Sequence, residues 1–417
     1  MKDAAALHRA LVRQLKRAGL IRSPLVEAAF RAVPRHLFLP GVELKRAYHD
    51  EAIPTKYAEG RPISSSSQPA IMAIMLEQLD LRPGHRVLEI GAGTGYNAAL
   101  MAHIVGQAGE VVTVDIDEDL VEAAREHLRA AGCAQVRVVC GDGGFGYADG
   151  APYDRVILTV GAGEIAPAWR EQLKPDGRLV LPLSLRGPQK SVAFQKKDDH
   201  LASLSLQDCG FMNLRGAFAE PESFVQLADE PGLLLVTADA QHFRPETIYG
   251  WLTGPSRDLP TGVQVTEPEV WGGVNPWLAL HEPDACALSA EDLWVERGLV
   301  PCLIEIWGQC RICSTSGLLS EAGLSVLAPP PGRASFAQRP APPLPFELFI
   351  RAFGDDEPLT QRLIRHVQTW DTLRRPGTTG MRIRAYPRDV PYAPLANEVV
   401  LTQRWTRLVL DWPSPLV

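Results

Sequence analysis

Leu88–Leu100, LEIGAGTGYNAAL, sets Gly91, Gly93 and Gly95 at alternate positions between an apolar run and a helix-forming run. Glycines here permit a tight turn and let a ligand approach the backbone. The spacing is G-x-G-x-G, which fails the G-x-G-x-x-G pattern of dinucleotide sites. Three acids sit where strands should end. Glu89 precedes the turn and is placed to accept from an ammonium group. Asp115 closes EVVTVDID, where a carboxylate takes ribose hydroxyls. Asp142, in Cys140-Gly141-Asp142-Gly143, closes a third run, within reach of an adenine amine. Ammonium, ribose and adenine together describe S-adenosylmethionine, so the expected chemistry is methyl transfer. Ala92, Ile116, Gly141 and Gly143 complete the expected cofactor wall beside the three glycines. Glycines serving geometry alone would not require three such acids.

A second constellation is the run Ser64-Ser65-Ser66-Ser67 before Gln68-Pro69. Hydroxyls orient an anionic acceptor without protonating it, and a serine run before a helix also serves as an N-cap. His49 and Asp50 lie upstream and either line the acceptor pocket or form a surface turn. Arg61 is placed to meet a carboxylate or to be solvated, and His36 reads as structural. Cys310 and Cys313 form a C-x-x-C pair, but no second pair completes a zinc site. The seven cysteines are therefore expected as free thiols, and no metal is expected.

Positioning these residues calls for an α/β fold. Helices are predicted at Ala4–Ala18, Pro24–Ala32, Pro69–Leu79, Tyr96–Val105, Glu118–Ala131 and Pro167–Gln172. They alternate with strands HRVLEIGAG, EVVTVDID, VRVVCGDG, YDRVILTV and RLVLPLS, and the segment from SVAFQ to DCGF reads as an edge hairpin. The alternation gives a doubly wound, Rossmann-like sheet of the class I methyltransferase type over residues 1–217. Residues 218–417 are punctuated by Pro, Gly and Trp and read as a smaller α+β domain. There we predict strands at GLLLVTAD, WLALHEP, FELFIRAFG, MRIRAYPRD and VVLTQRWTRLVLDWP, and helices at Pro245–Leu252, Ala290–Glu296 and Leu359–Leu373. A Pro-rich linker is predicted over 328–345. The tryptophans of this half are expected in packing.

Composition bounds the partners. The chain has 417 residues, 46% hydrophobic and 22% charged, with a formal net charge of −7. The negative balance argues against nucleic acid. No apolar run reaches a membrane span and the N-terminus is not a signal peptide, so a cytoplasmic location is expected.

Beyond these readings, residues 20–215 resemble the protein-L-isoaspartate O-methyltransferase family. The resemblance is carried by AAFRAVPRHLFLPG, AYHDEAIPT, ISSSSQPAIMAIML, VLEIGAGTGYNAALMA, GDGGFGYADGAPYDRVILTVGA and LKPDGRLVLPL. It implies that an Ile-Ser segment before a Pro-led helix carries the active-site serine. Ser67 matches when the helix is aligned, Ser64 when the Ile-Ser pair is, with Ser65, Ser66, Gln68 and His49 as substrate contacts. The added C-terminal half, with the ISSSSQPAIMAIML and SLRGPQKSVAF segments, resembles a subgroup, the FxLD-system methyltransferases, associated with ribosomally made peptides. That implies esterification of an aspartate in a modified precursor peptide, such as a cyclised one, giving an aspartimide or isoaspartate product, with residues 218–417 recognising or clamping the peptide. General isoaspartyl repair, and a non-catalytic peptide-binding scaffold on the same fold, are the alternatives.

Overall fold

The computed structural model describes residues 2–58, 60–187, 189–220, 224–228, 232–237, 240–307, 311–332 and 344–412. Three helices lead the chain: α1 (Lys2–Arg17), α2 (Pro24–Ala32) and α3 (Leu44–Ala47). A hairpin, β1 (Ile53–Ala58) and β2 (Arg61–Ser66), precedes α4 (Pro69–Leu79). Then come β3 (Arg86–Ile90), α5 (Tyr96–Val105), β4 (Glu110–Asp115), α6 (Glu118–Ala130), β5 (Arg137–Cys140), β6 (Tyr153–Leu158), α7 (Pro167–Glu171), β7 (Leu173–Ser184), β8 (Gln189–Lys196) and β9 (Leu201–Asp208).

The second half holds β10 (Phe224–Gln226), β11 (Leu233–Thr237), α8 (Pro245–Thr253), β12 (Ser256–Val265), α9 (Glu267–Glu269), α10 (Asn275–His281), β13 (Ala285–Glu291) and α11 (Asp292–Glu296). It ends with β14 (Ile304–Trp307), β15 (Arg311–Leu319), β16 (Gly323–Ala328), β17 (Phe346–Gly354), α12 (Glu357–Thr372), β18 (Arg382–Pro387), β19 (Val399–Thr402) and β20 (Thr406–Asp411).

Ten strands form the first sheet, in the order β19-β20-β18-β9-β8-β7-β6-β3-β4-β5. The five from β7 to β5 are parallel, and the rest join antiparallel. Strand residues alternate faces. Val87, Val111, Ile157 and Val180 pack under α1, α2, α4 and α5 on one side. Leu88, Val112, Val156 and Leu179 pack on the other with Trp169 of α7. From β3 the chain runs outward to β4 and β5, then returns to β6 on the opposite side. This reversal opens a crevice at the carboxyl ends of β3 and β6. A second sheet of eight antiparallel strands, β10-β11-β13-β15-β16-β17-β12 with β14 on β15, carries α12 and α10 on one face.

Several expectations are corrected. The sheets do not divide at 217/218, because β18 pairs with β9 and brings β20 and β19 into the first sheet. WLALHEP is not a strand: α10 starts at Asn275-Pro276, and Trp277 to Leu280 are buried on all sides. A run apolar on every face carries no period to separate helix from strand. The helix read from Ala290 begins at Asp292, after the strand β13. Cys302 and Cys313 form a disulfide. Cys310 and positions 333–343 of the Pro-rich segment lie outside the described residues. Among the described residues no helix is long and apolar enough to cross a membrane.

Candidate active site

At the end of β3 the glycine turn crosses the crevice. The N–H groups of Gly91 and Ala92 donate to the Val114 carbonyl at 2.8 and 3.2 Å, locking the turn onto β4. Gly91 has φ +99, and a Cβ there would lie 2.6 Å from Thr159 Oγ1, which itself donates to the Gly91 carbonyl at 2.6 Å. Above the turn lies a cavity of about 300 Å³, at the lower end of the range for small-molecule sites. Gly91, Ala92, Gly93, Asp115, Ile116 and Gly143 line it, as expected, and so do Ser64, Ser65, Ser66, Ser67 and Gln68.

The three acids play different parts. Asp115 is in the wall: Gly93 N–H donates to its Oδ2 at 2.9 Å and Asp117 N–H to its Oδ1 at 3.3 Å. Burial raises its pKa. Glu89 is not in the wall. It is fully buried beneath the turn, where Asn97 Nδ2 donates to Oε1 at 2.7 Å and Thr113 Oγ1 to Oε2 at 2.6 Å. The ammonium contact expected of it gives way to a structural one, tying β3 to α5 and β4. Asp142 is also committed, because Gly144 N–H donates to Oδ1 at 2.8 Å and Ala217 N–H to Oδ2 at 2.7 Å. It anchors the chain that follows β9. Gly141 donates to the Asp115 carbonyl at 2.9 Å and stands behind the wall, while Gly95 opens α5 at φ +85.

Glu89 makes stability depend on pH. Burial pushes its pKa from 4.5 up to about 7, against the two hydrogen bonds. Between those values the folded chain keeps a proton that the unfolded chain has lost. The folded state is therefore favoured below pH 4.5 and loses that advantage as pH rises to 7. The difference is worth about 3 kcal/mol. Glu89→Gln, neutral throughout, should flatten this fall. Urea midpoints at pH 5 and pH 8 measure it, and parallel profiles for variant and parent would contradict the assignment.

The serine run is not a loop, because β2 carries it through Ser66 against β1. It is not the helix cap either. Asp50 Oδ1 accepts from Ala70 N–H at 2.8 Å, and Gln68 Nε2 donates to Asp50 Oδ2 at 3.2 Å. Ser64 and Ser66 are buried on one face of the strand. Ser64 Oγ and the Ser65 carbonyl lie 4.0 and 3.5 Å from where a Cβ on Gly93 would stand, so the hairpin roofs the glycine turn. His49 lies outside the cavity, 73% exposed and 3.8 Å from Glu51. Arg61 stacks over the Phe224 ring at 5.0 Å, and His36 Nδ1 is 2.6 Å from Tyr48 Oη.

Other contributors were not read from sequence. Residues 208–215 close the cavity as a strap, paired to Gly161 through Met212 and Leu214. Arg215 Nη2 lies 2.7 Å from Asp117 Oδ2, and Lys56 Nζ of the hairpin 2.9 Å from the same oxygen. One carboxylate, two residues beyond Asp115, thus holds both covers. Arg35, fully buried, donates to five carbonyls around the hairpin base. Thr159, at the end of β6, followed the strand-end rule that found the acids. The strap and Arg35 gave no sequence signal.

The reversal of strand order at the crevice, with the glycine turn and the Asp115 wall at its mouth, is the fold of a class I S-adenosylmethionine-dependent methyltransferase. A protein-L-isoaspartate O-methyltransferase from Methanopyrus kandleri is 42% identical over 217 residues, covering 51% of this chain and 94% of that protein. Protein-L-isoaspartate O-methyltransferase 2 of Archaeoglobus fulgidus is 46% identical over 167 residues, covering 40% of this chain and 74% of that one. A solved structure described as a protein-L-isoaspartate O-methyltransferase matches with a TM-score of 0.51 at 23% identity, across 96% of this chain and 98% of its own, which supports the fold. The model for the protein-L-isoaspartate(D-aspartate) O-methyltransferase family matches residues 6–217, a little over half the chain, and the chain belongs to that family. It is a carboxyl methyltransferase, and its methyl donor is S-adenosylmethionine.

Proposed function

We propose that this enzyme esterifies the side-chain carboxylate of an aspartyl or isoaspartyl residue in a ribosomally made, modified peptide. The added half of the chain recognises that peptide. What supports the reading is the second half of the chain, which the Methanopyrus relative lacks although a solved protein-L-isoaspartate O-methyltransferase spans it at the level of fold. The Methanopyrus relative matches over 94% of its own length yet only 51% of this chain. The remaining residues build a second sheet, return three strands to the first, and touch the acceptor hairpin through Phe224 and Arg61.

Asp115 would hold the donor's ribose, and the glycine turn with Ile116 and Gly143 would enclose the rest. S-adenosylmethionine supplies a methyl group made electrophilic by its sulfonium. A carboxylate is ionised near neutral pH, so no general base is asked of the chain. What the residues supply is alignment and exclusion of water. The strap and hairpin cover the cavity, and the serines orient the acceptor opposite the turn. In the ester product, the following backbone nitrogen attacks the side-chain carbonyl. Methanol leaves as the succinimide, an aspartimide, closes.

The test offers the enzyme a simple isoaspartyl peptide and a cyclised precursor peptide, with methyl ester and succinimide read by mass spectrometry. We expect turnover of the precursor at least tenfold above the simple peptide. Efficient turnover of the simple peptide, with none of the precursor, would overturn this reading in favour of general isoaspartyl repair.

A further inference from the structure

We infer that Arg35 is the positioning residue of the acceptor site. It turns the N–H groups of Ser67 and Gln68 into the cavity, where they grip one oxygen of the acceptor carboxylate. The inference rests on the carboxyl acceptor proposed above and assigns the atoms that hold it.

Arg35 has no exposed surface and no carboxylate in hydrogen-bond contact among the described residues. Its two terminal nitrogens are spent on carbonyls, while Nε is buried without a partner. Nη1 donates to Ala47 and His49, each at 3.1 Å. Nη2 donates to Glu51 at 3.0 Å, Ser66 at 3.4 Å and Ser67 at 3.1 Å. A buried charge without an ion-pair partner is costly, and five carbonyl dipoles offset that cost only while both segments stay in place. Those segments are the loop 47–51 and the end of the serine run. Asp50 lies within the first and caps α4 through Ala70 N–H, with Gln68 Nε2 on its other oxygen. Arg35 and Asp50 therefore clamp Ser66-Ser67-Gln68 between them.

The consequence follows from peptide geometry. In a trans peptide the C=O and the next N–H point to opposite sides. With the Ser66 and Ser67 carbonyls drawn to Arg35, the N–H groups of Ser67 and Gln68 face away from it. Both residues line the cavity. Among the described residues neither N–H donates to any protein acceptor. A further donor lies alongside, since Ser66 Oγ is buried, lines the same cavity and has no partner. Ser67 and Gln68 are half-buried at the cavity and Ser66 Oγ is buried, and unpaired donors gathered at a site call for a ligand acceptor. The substrate's carboxylate is the acceptor this enzyme must hold, and the guanidinium reaches it only through the backbone, so its nucleophilicity is not quenched by a direct cation.

Gln68 provides a clean test, because its φ of −58 already suits proline. Gln68→Pro removes the N–H, whereas Gln68→Ala removes the side chain and keeps the N–H. Both are compared on whichever peptide the wild-type enzyme turns over, so failure of the peptide assignment shows first in the wild type. We expect Gln68→Pro to fall at least tenfold below Gln68→Ala in kcat/KM, with donor affinity in the two variants within about threefold. Arg35→Met should lose about 100-fold in kcat/KM, and Arg35→Lys should recover part of it by bonding some of the same carbonyls. Equal activity of the proline and alanine variants would overturn the inference, even if Arg35→Met proves too unstable to assay. So would Arg35→Met retaining wild-type kcat/KM.

Discussion

Gly91→Ala should abolish donor binding, with S-adenosylhomocysteine affinity falling by 100-fold or more in calorimetry. Two independent costs act at this position. The backbone sits at φ +99, where a side chain is strained by about 1–3 kcal/mol. The new methyl would also lie 2.6 Å from Thr159 Oγ1 and 3.1 Å from Val160 Cγ1. Relief requires pushing β3 and β6 apart where they frame the crevice, or flipping the turn that Val114 holds through two N–H groups. Either movement displaces Gly93 N–H from Asp115, and that wall of the cavity goes with it. The same substitution at Gly141 meets nothing within 4 Å and serves as the control. Donor affinity within threefold of wild type for Gly91→Ala would show that the turn does not shape the donor site.

The parts of this fold that could be read from sequence are those whose signals are local. The strands β3, β4, β5 and β6 are short apolar runs between turn residues, and their ends carried Glu89, Asp115 and Asp142. Sequence spacing placed each acid at a strand end but could not say which way its carboxylate points. Asn97 and Thr113 claim Glu89, because a buried carboxylate must be satisfied by whatever donors surround it, and backbone N–H groups bind the half-buried Asp142. Long-range pairing was silent for a different reason. The contact of Arg384 with Ala202 joins residues with no shared pattern, so the return of β18, β20 and β19 to the first sheet left no trace. Arg35 shows the same limit for a side chain, since arginine in a sequence reads as surface until its carbonyl partners are known.

The four serines show how the structure sharpens what alignment leaves open. Ser64 and Ser67 both line the cavity, but at different ends of the run. Ser64 belongs to the strand and sits over the donor turn, with Thr55 Oγ1 donating to its Oγ at 3.4 Å. Ser67 lies past the strand, beside Gln68, with its carbonyl fixed by Arg35. The two should therefore fail differently. Ser67→Ala is expected to lower kcat/KM for the peptide by about 100-fold while donor affinity stays within threefold, the pattern of a lost transition-state donor. Ser64→Ala is expected to weaken donor binding about fivefold, the worth of one ordinary hydrogen bond. Full activity in both variants would reduce the run to a structural strand. Equal losses in the same parameter would mean that donor and acceptor do not occupy opposite ends of it. A division between the two parameters would explain why the run is longer than one acceptor contact requires, since β2 must span the distance from the glycine turn to the head of α4.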